Sequence, residues 1–175
     1  MKLGGNLSAR KATVDDADLV ARMANATFVE KFGHLYSTKD LTDYLHLAYG
    51  EQAIIETLTN PSNATWLLFD GDDAVGFALI GKATLPHPEI VAGDGEIKRF
   101  YVDPSRTGQG LGAIMMDVVM QDLLKNGPRT LWLGVYSENE GAQRFYARYG
   151  FEHAGEYEYP VGEARDREFI YRRPA

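Results

Sequence analysis

A strand followed by a glycine-rich loop and a helix, over residues 96–127, constrains the fold of this chain more than any other feature. The apolar-leaning strand ends at Asp103 and Pro104, and the loop of residues 105–110 leads directly into a helix that starts near Leu111. Glycines let the backbone turn tightly and approach a ligand closely. The first N–H groups of a helix have no internal partner, so a phosphate or pyrophosphate fits in front of them.

The helix after this loop has one apolar face. Its apolar residues recur at the spacing i, i+3, i+4, i+7 and i+8, which predicts an amphipathic helix packed on a core. These residues are Leu111, Ile114, Met115, Val118 and Val119. Gly127 followed by Pro128 ends the helix, because the glycine supplies a left-handed residue and the proline cannot continue the helix.

Three types of phosphate-binding loop are candidates for this segment. The nucleotide-triphosphatase loop is excluded because Gly112 is followed by Ala113, where that loop requires Lys. Gly108, Gly110 and Ala113 satisfy the dinucleotide pattern G-x-G-x-x-A, but Leu133 stands where an acidic residue is expected. A dinucleotide fold and a purely structural turn remain alternatives to the third type, which depends on motifs further along the chain.

Four segments together resemble the GNAT superfamily of acetyl-CoA-dependent N-acetyltransferases. They are VDP at residues 102–104, TGQGLG at 107–112, NEGA at 139–142 and FYARYGF at 145–151. The resemblance extends over residues 7–172. One departure is Thr107, because the family usually places Gln or Arg at this position, whereas here Arg106 lies one residue earlier.

The resemblance implies a mixed α/β fold, the GNAT fold, with a splayed central sheet flanked by helices in a single domain over residues 1–175. Two adjacent parallel strands part in this fold, and the pantetheine arm of the cofactor lies between them. Here those strands would be residues 96–102 and 130–136. Gly134 within the second run indicates a bulge or a close backbone approach. The loop of residues 82–95 is expected to cover the site.

The resemblance also implies acetyl-CoA as co-substrate. Backbone groups of the first strand would bond the pantetheine, and N–H groups of the loop and helix would face the pyrophosphate. The residues expected to bind acetyl-CoA are Phe100, Tyr101, Val102, Thr107, Gly108, Gln109, Gly110, Leu111, Gly112, Ala113 and Asn139. Asn139 suits two roles equally, since Asn before an apolar helical run is also a good N-cap.

Two residues are expected to move protons. An alkyl ammonium titrates near about 10.4 and must lose a proton before its nitrogen attacks the thioester. Glu96 lies where the superfamily often has a carboxylate and is expected to act as base, directly or through water; the alternative is a solvated strand-end acid. Tyr146 matches the position that faces the departing sulfur and would be the general acid; the alternative is a tyrosine packed on the cofactor.

The acceptor site is expected after the first helix, a segment that walls it in this superfamily. The candidates for acceptor contact are Phe28, Glu30, Phe32, Tyr36 and Tyr44; the alternative for the aromatic ones is a place in the core. Residues 27–28, 132–140 and 157–159, together with Gly162, look similar to the bacterial spermidine/spermine acetyltransferase branch, which implies a polyamine acceptor. Other amines, including amino acids, antibiotics and peptides, remain open.

Composition restricts the classes of protein to which the chain can belong. The 175 residues are 45% apolar and 25% charged, as in soluble globular domains, and the net charge of −7 argues against nucleic acid as the main partner. No apolar run is as long as a membrane span and residues 1–10 lack a signal-peptide core, so we expect a cytoplasmic protein. The absence of cysteine excludes thiolate metal sites and a cysteine nucleophile.

We therefore expect direct acetyl transfer to an amine in a ternary complex, with no metal. The partner would be a small-molecule or peptide amine, and a homodimer is left open. A non-catalytic acyl-CoA-binding regulatory module is the alternative from another class.

Overall fold

The computed structural model describes residues 1–106 and 108–175. The strands are β1 Lys2–Gly4, β2 Leu7–Lys11, β3 Asn63–Asp70, β4 Asp73–Lys82, β5 Gly95–Val102, β6 Leu131–Tyr136, β7 Glu152–Val161 and β8 Ala164–Arg173. The helices are α1 Ala17–Phe32, α2 Thr38–Tyr49, α3 Glu51–Thr59, α4 Leu111–Leu124 and α5 Glu140–Ala147. Within the described residues, no helix is both long enough and apolar enough to cross a membrane.

All eight strands belong to one sheet in the order β1-β2-β3-β4-β5-β6-β8-β7. Every neighbouring pair is antiparallel except β5 and β6, which are parallel. The predicted mixed α/β fold is thus confirmed. Sequence patterning did not predict β1, because a strand of three residues is too short to show a period.

The parallel pair β5 and β6 separates after three residues. Gly95, Glu96 and Ile97 pair with Leu131, Trp132 and Leu133, and the register ends there. The remaining residues of both strands, 98–102 and 134–136, line a common cavity. The predicted splay of the central sheet is therefore confirmed.

A bulge in β5 changes which way its side chains point. Leu79 of β4 pairs with Arg99 and Ile80 pairs with Ile97, so Lys98 has no residue opposite it. Beyond the bulge, Tyr101 packs with the helices α1 to α3, whereas Phe100 packs on the side of α4 and α5. The bulge therefore sets which face of the sheet each side chain of β5 occupies at the point where the strand leaves β6.

A buried apolar cluster lies on each face of the sheet. One contains Met115, Val119 and Phe151 with the helices α4 and α5, and the other contains Val20 and Phe28 with α1 to α3. Each fully buried apolar side chain stabilises the fold by about 1.5–3 kcal/mol relative to an exposed one. The two clusters hold α1 and α5 on opposite faces of the sheet, on either side of the parted strands.

Candidate active site

A cavity of about 990 Å³ opens where β5 and β6 part. This volume is at the upper end of the range for small-molecule sites, which is about 300–1,000 Å³. The residues predicted from sequence that line it are Phe28, Glu30, Phe32, Tyr36, Tyr44, Glu96, Phe100, Tyr101, Val102, Asn139 and Tyr146. The structure therefore brings together residues that lie far apart in the sequence. The role of each residue stays a prediction.

The described residues of the glycine-rich loop form the entrance of α4 rather than the cavity wall. Gly108 and Gly110 have φ values of 86° and 76°, a left-handed conformation that favours glycine. No side chain among the described residues caps α4, so the N–H groups of Leu111, Gly112 and Ala113 have no side-chain partner there. Their binding of an anion stays a prediction. Gln109 lies between the two left-handed glycines, and Thr107 lies outside the described residues.

Arg106, the cationic residue of this loop, is held by carboxylates. Its guanidinium lies 2.6 Å from Asp70, 3.5 Å from Asp73 and 3.8 Å from Asp103. These contacts hold the arginine against the β3–β4 hairpin. Arg106 is thus engaged by the hairpin, and we expect the backbone amides at the start of α4 to receive an anion.

Glu96 is buried, with 6% of its surface exposed. Its Oε2 atom accepts hydrogen bonds from the Thr84 amide at 2.6 Å, the Thr84 hydroxyl at 3.1 Å and the Lys98 ammonium at 3.0 Å. The alternative of a solvated strand-end acid is wrong, because these contacts tie the carboxylate to the loop after β4. Leu85 and Pro86 of that loop line the cavity. The role of Glu96 as a base stays a prediction.

Tyr146 lies on α5 with 8% of its surface exposed. Its ring packs against Phe100, Phe145 and Phe151, with centroid distances of 6.2, 5.4 and 6.1 Å. Burial, with a smaller contribution from the charge of Glu168, raises the pKa of Tyr146 above its usual value. The phenol therefore stays protonated at neutral pH, as a proton donor must, while its acid role stays a prediction.

Asn139 caps α5. Its Oδ1 atom accepts a hydrogen bond from the Ala142 amide at 3.3 Å. The side chain also lines the cavity, so both interpretations of Asn139 are compatible with its position. The cap engages one lone pair of Oδ1, so the second lone pair and the amide NH₂ group are left for a ligand.

An aromatic cluster forms the wall of the cavity beside α1 and α2. Phe28 lies at its centre, with ring centroids 4.6 Å from Tyr44, 5.2 Å from Phe32 and 6.0 Å from Tyr36. Phe28 is 5% exposed, so it belongs to the core and to the cavity wall together. Glu30 is exposed and also lines the cavity.

Sequence reasoning missed an arginine held by phenols. The Arg99 guanidinium donates to the hydroxyl of Tyr49 at 3.2 Å, to the hydroxyl of Tyr159 at 3.1 Å and to the Lys98 carbonyl at 2.8 Å. The Tyr159 hydroxyl is also 3.0 Å from that of Tyr44. Arg99 thereby fixes the tyrosines of α2 and β7 against β5.

Two carboxylates from β8 were also missed. The hydroxyl of Tyr36 donates to Asp166, and the hydroxyl of Tyr157 donates to Oε2 of Glu168 at 2.6 Å. Both carboxylates line the cavity. Burial raises the pKa of Glu168, opposed by the hydrogen bond from Tyr157 and the charge of Arg99. Asp166 and Glu168 are two residues apart, so they share one face of β8. The sequence alone does not reveal that this face lines a cavity.

Gly134 explains how Glu168 reaches the parted strands. The register of β6 with β8 continues through Gly134, so the bulge, one of the two alternatives predicted at this glycine, is wrong. The absence of a side chain at Gly134 instead makes room for Glu168 and Tyr157, whose oxygen atoms lie 2.7 and 2.9 Å from where its Cβ would be.

The fold is that of an α/β protein with a cavity between two parted strands. Residues 24–151 match the model of the acetyltransferase (GNAT) family, and this match covers well over half of the chain. The chain therefore belongs to the acetyltransferase (GNAT) family and is an N-acetyltransferase.

Relatives extend this similarity. An uncharacterized N-acetyltransferase of Lactobacillus delbrueckii subsp. lactis is 24% identical over 86% of this chain and 87% of its own length. The spermine/spermidine N(1)-acetyltransferase of Bacillus subtilis is 31% identical over 53% of this chain and 61% of its own. The crystal structure of the PaiA N-acetyltransferase of Thermoplasma acidophilum with coenzyme A has the same fold, with a TM-score of 0.75 at 18% identity over 97% of this chain and 99% of the other.

Proposed function

We propose that this N-acetyltransferase moves an acetyl group from acetyl-CoA to a primary amine by direct attack in a ternary complex. The observation that carries the proposal is the early end of the β5–β6 ladder at Ile97 and Leu133, beside a cavity that contains Tyr146. The parted strands leave backbone groups of β5 free to bond an extended ligand. We further propose that residues 1–175 act as a single domain, since β1 and β8 belong to one sheet.

The residues present fit acetyl-CoA. The backbone of Phe100, Tyr101 and Val102 would bond the pantetheine, and the amides from Gly108 to Ala113 would receive the pyrophosphate at the uncapped start of α4. The coenzyme A in the Thermoplasma structure supports this ligand class. When bound, acetyl-CoA supplies a thioester carbon for attack by the amine.

The polar groups in the cavity fit the two proton transfers. Tyr146 would protonate the departing sulfur, which requires little driving force because thiols titrate near about 8.5. A carboxylate of the cavity would accept the amine proton, and Glu96 is the one that the sequence predicts for this role, directly or through water. A backbone N–H near Val102 would stabilise the oxyanion.

We propose a polyamine as the acceptor. The carboxylates of Glu30, Asp166 and Glu168 line the cavity together with the rings of Phe28 and Tyr44, and both kinds of group attract an alkyl ammonium. The name of the Bacillus subtilis relative adds support, within the part of the chain that matches it.

The test is thiol release from acetyl-CoA by the purified protein with spermidine or spermine, against amino acids, aminoglycosides and peptides. Turnover on polyamines supports both the reaction and the acceptor. Turnover only on another amine would reject the polyamine but keep the reaction. Tight acetyl-CoA binding without turnover on any amine would favour a non-catalytic acyl-CoA-binding module.

A further inference from the structure

A second carboxylate, Glu168, lines the cavity between the parted strands together with Glu96. The side chain of Glu168 occupies the room left by Gly134, which is the first residue of β6 beyond the end of the β5–β6 ladder. The charge of Glu168 also contributes to the raised pKa of Tyr146 on α5. The carboxylate therefore lies at the junction of the two strands, in the same cavity as the phenol of Tyr146 that is expected to protonate the leaving sulfur.

The two carboxylates differ in what they bind. One oxygen of Glu96 receives three donors, including the ammonium of Lys98. Glu168 receives a neutral phenol from Tyr157, and it forms no ion pair with the residues that the structure describes. A base must offer a lone pair to an incoming ammonium, and a carboxylate already neutralised by a lysine does this less well.

Several charged or titratable groups face Glu168. Tyr157 reaches it from β7, Arg99 from β5, Asp166 from its own strand, and Tyr146 and Tyr36 from the helical side of the cavity. Burial raises the pKa of Glu168, Tyr157 and Arg99 lower it, and Asp166 raises it. The net rise brings this carboxyl closer to neutral pH, where a general base is most effective.

We propose that Glu168 is the general base that takes the proton from the acceptor ammonium, an inference that rests on the proposed acetyl transfer. Glu168 removes one proton from the ammonium and passes it to solvent. The freed lone pair forms the N–C bond to the thioester carbon, and the C–S bond then breaks. Tyr146 gives its proton to the sulfur, and the second proton of the nitrogen returns through water to Tyr146. One proton is released for each acetyl group transferred.

The test compares Glu168→Gln with a matched control, Glu158→Gln, which changes an exposed carboxylate on β7 that does not line the cavity. We expect Glu168→Gln to lower kcat by about 100-fold or more while the Kd for acetyl-CoA stays unchanged, because general-base catalysis contributes about 10²–10⁴. The control should keep wild-type kcat. Wild-type kcat in folded Glu168→Gln would overturn the inference.

A second variant tests whether Glu168 acts as a base or has only a structural role. This test does not depend on the stability of Glu168→Gln. Tyr157→Phe removes the hydrogen bond that lowers the pKa of Glu168, so that pKa rises. Because the base works only when ionised, the acid limb of the kcat/KM profile should move to higher pH. An unmoved limb would overturn the inference. Absence of turnover in the wild type, with acetyl-CoA bound, would instead overturn the proposed acetyl transfer and the inference with it.

Discussion

The Oε2 atom of Glu168 lies 2.7 Å from the point that a Cβ atom on Gly134 would occupy. The hydroxyl of Tyr157 lies 2.9 Å from the same point. Real Cβ atoms do not approach other atoms so closely, so a side chain at Gly134 must displace both groups. The glycine therefore determines where the carboxylate lies in the cavity.

Gly134→Ala should move the Glu168 carboxylate with little loss of stability, because both atoms in the way are ends of side chains. We expect kcat to fall by about 10–100-fold, since a misplacement of about 1 Å can have an effect of that size. The free energy of unfolding should fall by only about 1 kcal/mol. Steady-state kinetics and urea unfolding measure the two quantities. In a Glu168→Gln background the alanine should have no further effect on kcat, and an additive loss would contradict this explanation.

Tyr146→Phe should lower kcat by about 100-fold without weakening acetyl-CoA binding, because the variant keeps the buried ring and loses only the phenol proton. The raised pKa of Tyr146 keeps this group protonated through neutral pH, so it should cause no loss of rate between about pH 6 and 9. Thiol release measures the rate. Tyr149→Phe, outside the cavity lining, is the control and should behave as wild type. Equal rates in the two variants would reject the acid role.

Gly110→Ala should reduce both stability and acetyl-CoA affinity. The residue has a φ of 76°, and a left-handed conformation costs a non-glycine residue about 1–2 kcal/mol. A backbone change that relieves this strain would also alter the direction of the first N–H groups of α4. Gly5→Ala is a matched control, because Gly5 has a φ of 56° in the turn before β2 and no atom within 4 Å of its Cβ position. Thermal unfolding should show a lower melting temperature in both variants. Calorimetry should show weaker acetyl-CoA binding only in Gly110→Ala.

Asp122→Asn should reduce stability in a pH-dependent way. Burial alone would raise the pKa of Asp122, but hydrogen bonds from Lys125, Lys11 and Trp66 outweigh it and lower this pKa to about 2. A lowered folded-state pKa stabilises the protein above the unfolded pKa of about 3.9, and this contribution disappears as pH falls to about 2. The variant should therefore lose up to about 2 kcal/mol at pH 7 and progressively less below pH 4. A constant difference across urea unfolding at pH 3 to 7 would contradict the linkage.

Sequence by itself determined the strand, loop and helix of residues 96–127, because their signals are local. The apolar spacing of α4 and the left-handed glycines act within a few residues of the chain, so they could be identified without knowing the fold. The cap formed by Asn139 on α5 is equally local. The family motifs lie in these same segments.

Only the tertiary structure decided what faces the cavity from β8. Tyr36 and Asp166 meet across 130 positions of sequence, and Tyr157 reaches Glu168 only after two strands pair in one register. The bulge at Lys98 likewise depends on the alignment of β5 with β4. Local patterning reports how a segment folds, but the burial and charge of a carboxylate depend on which distant side chains pack around it. For this reason Glu96 could be selected from its position in a motif, whereas Glu168 could not.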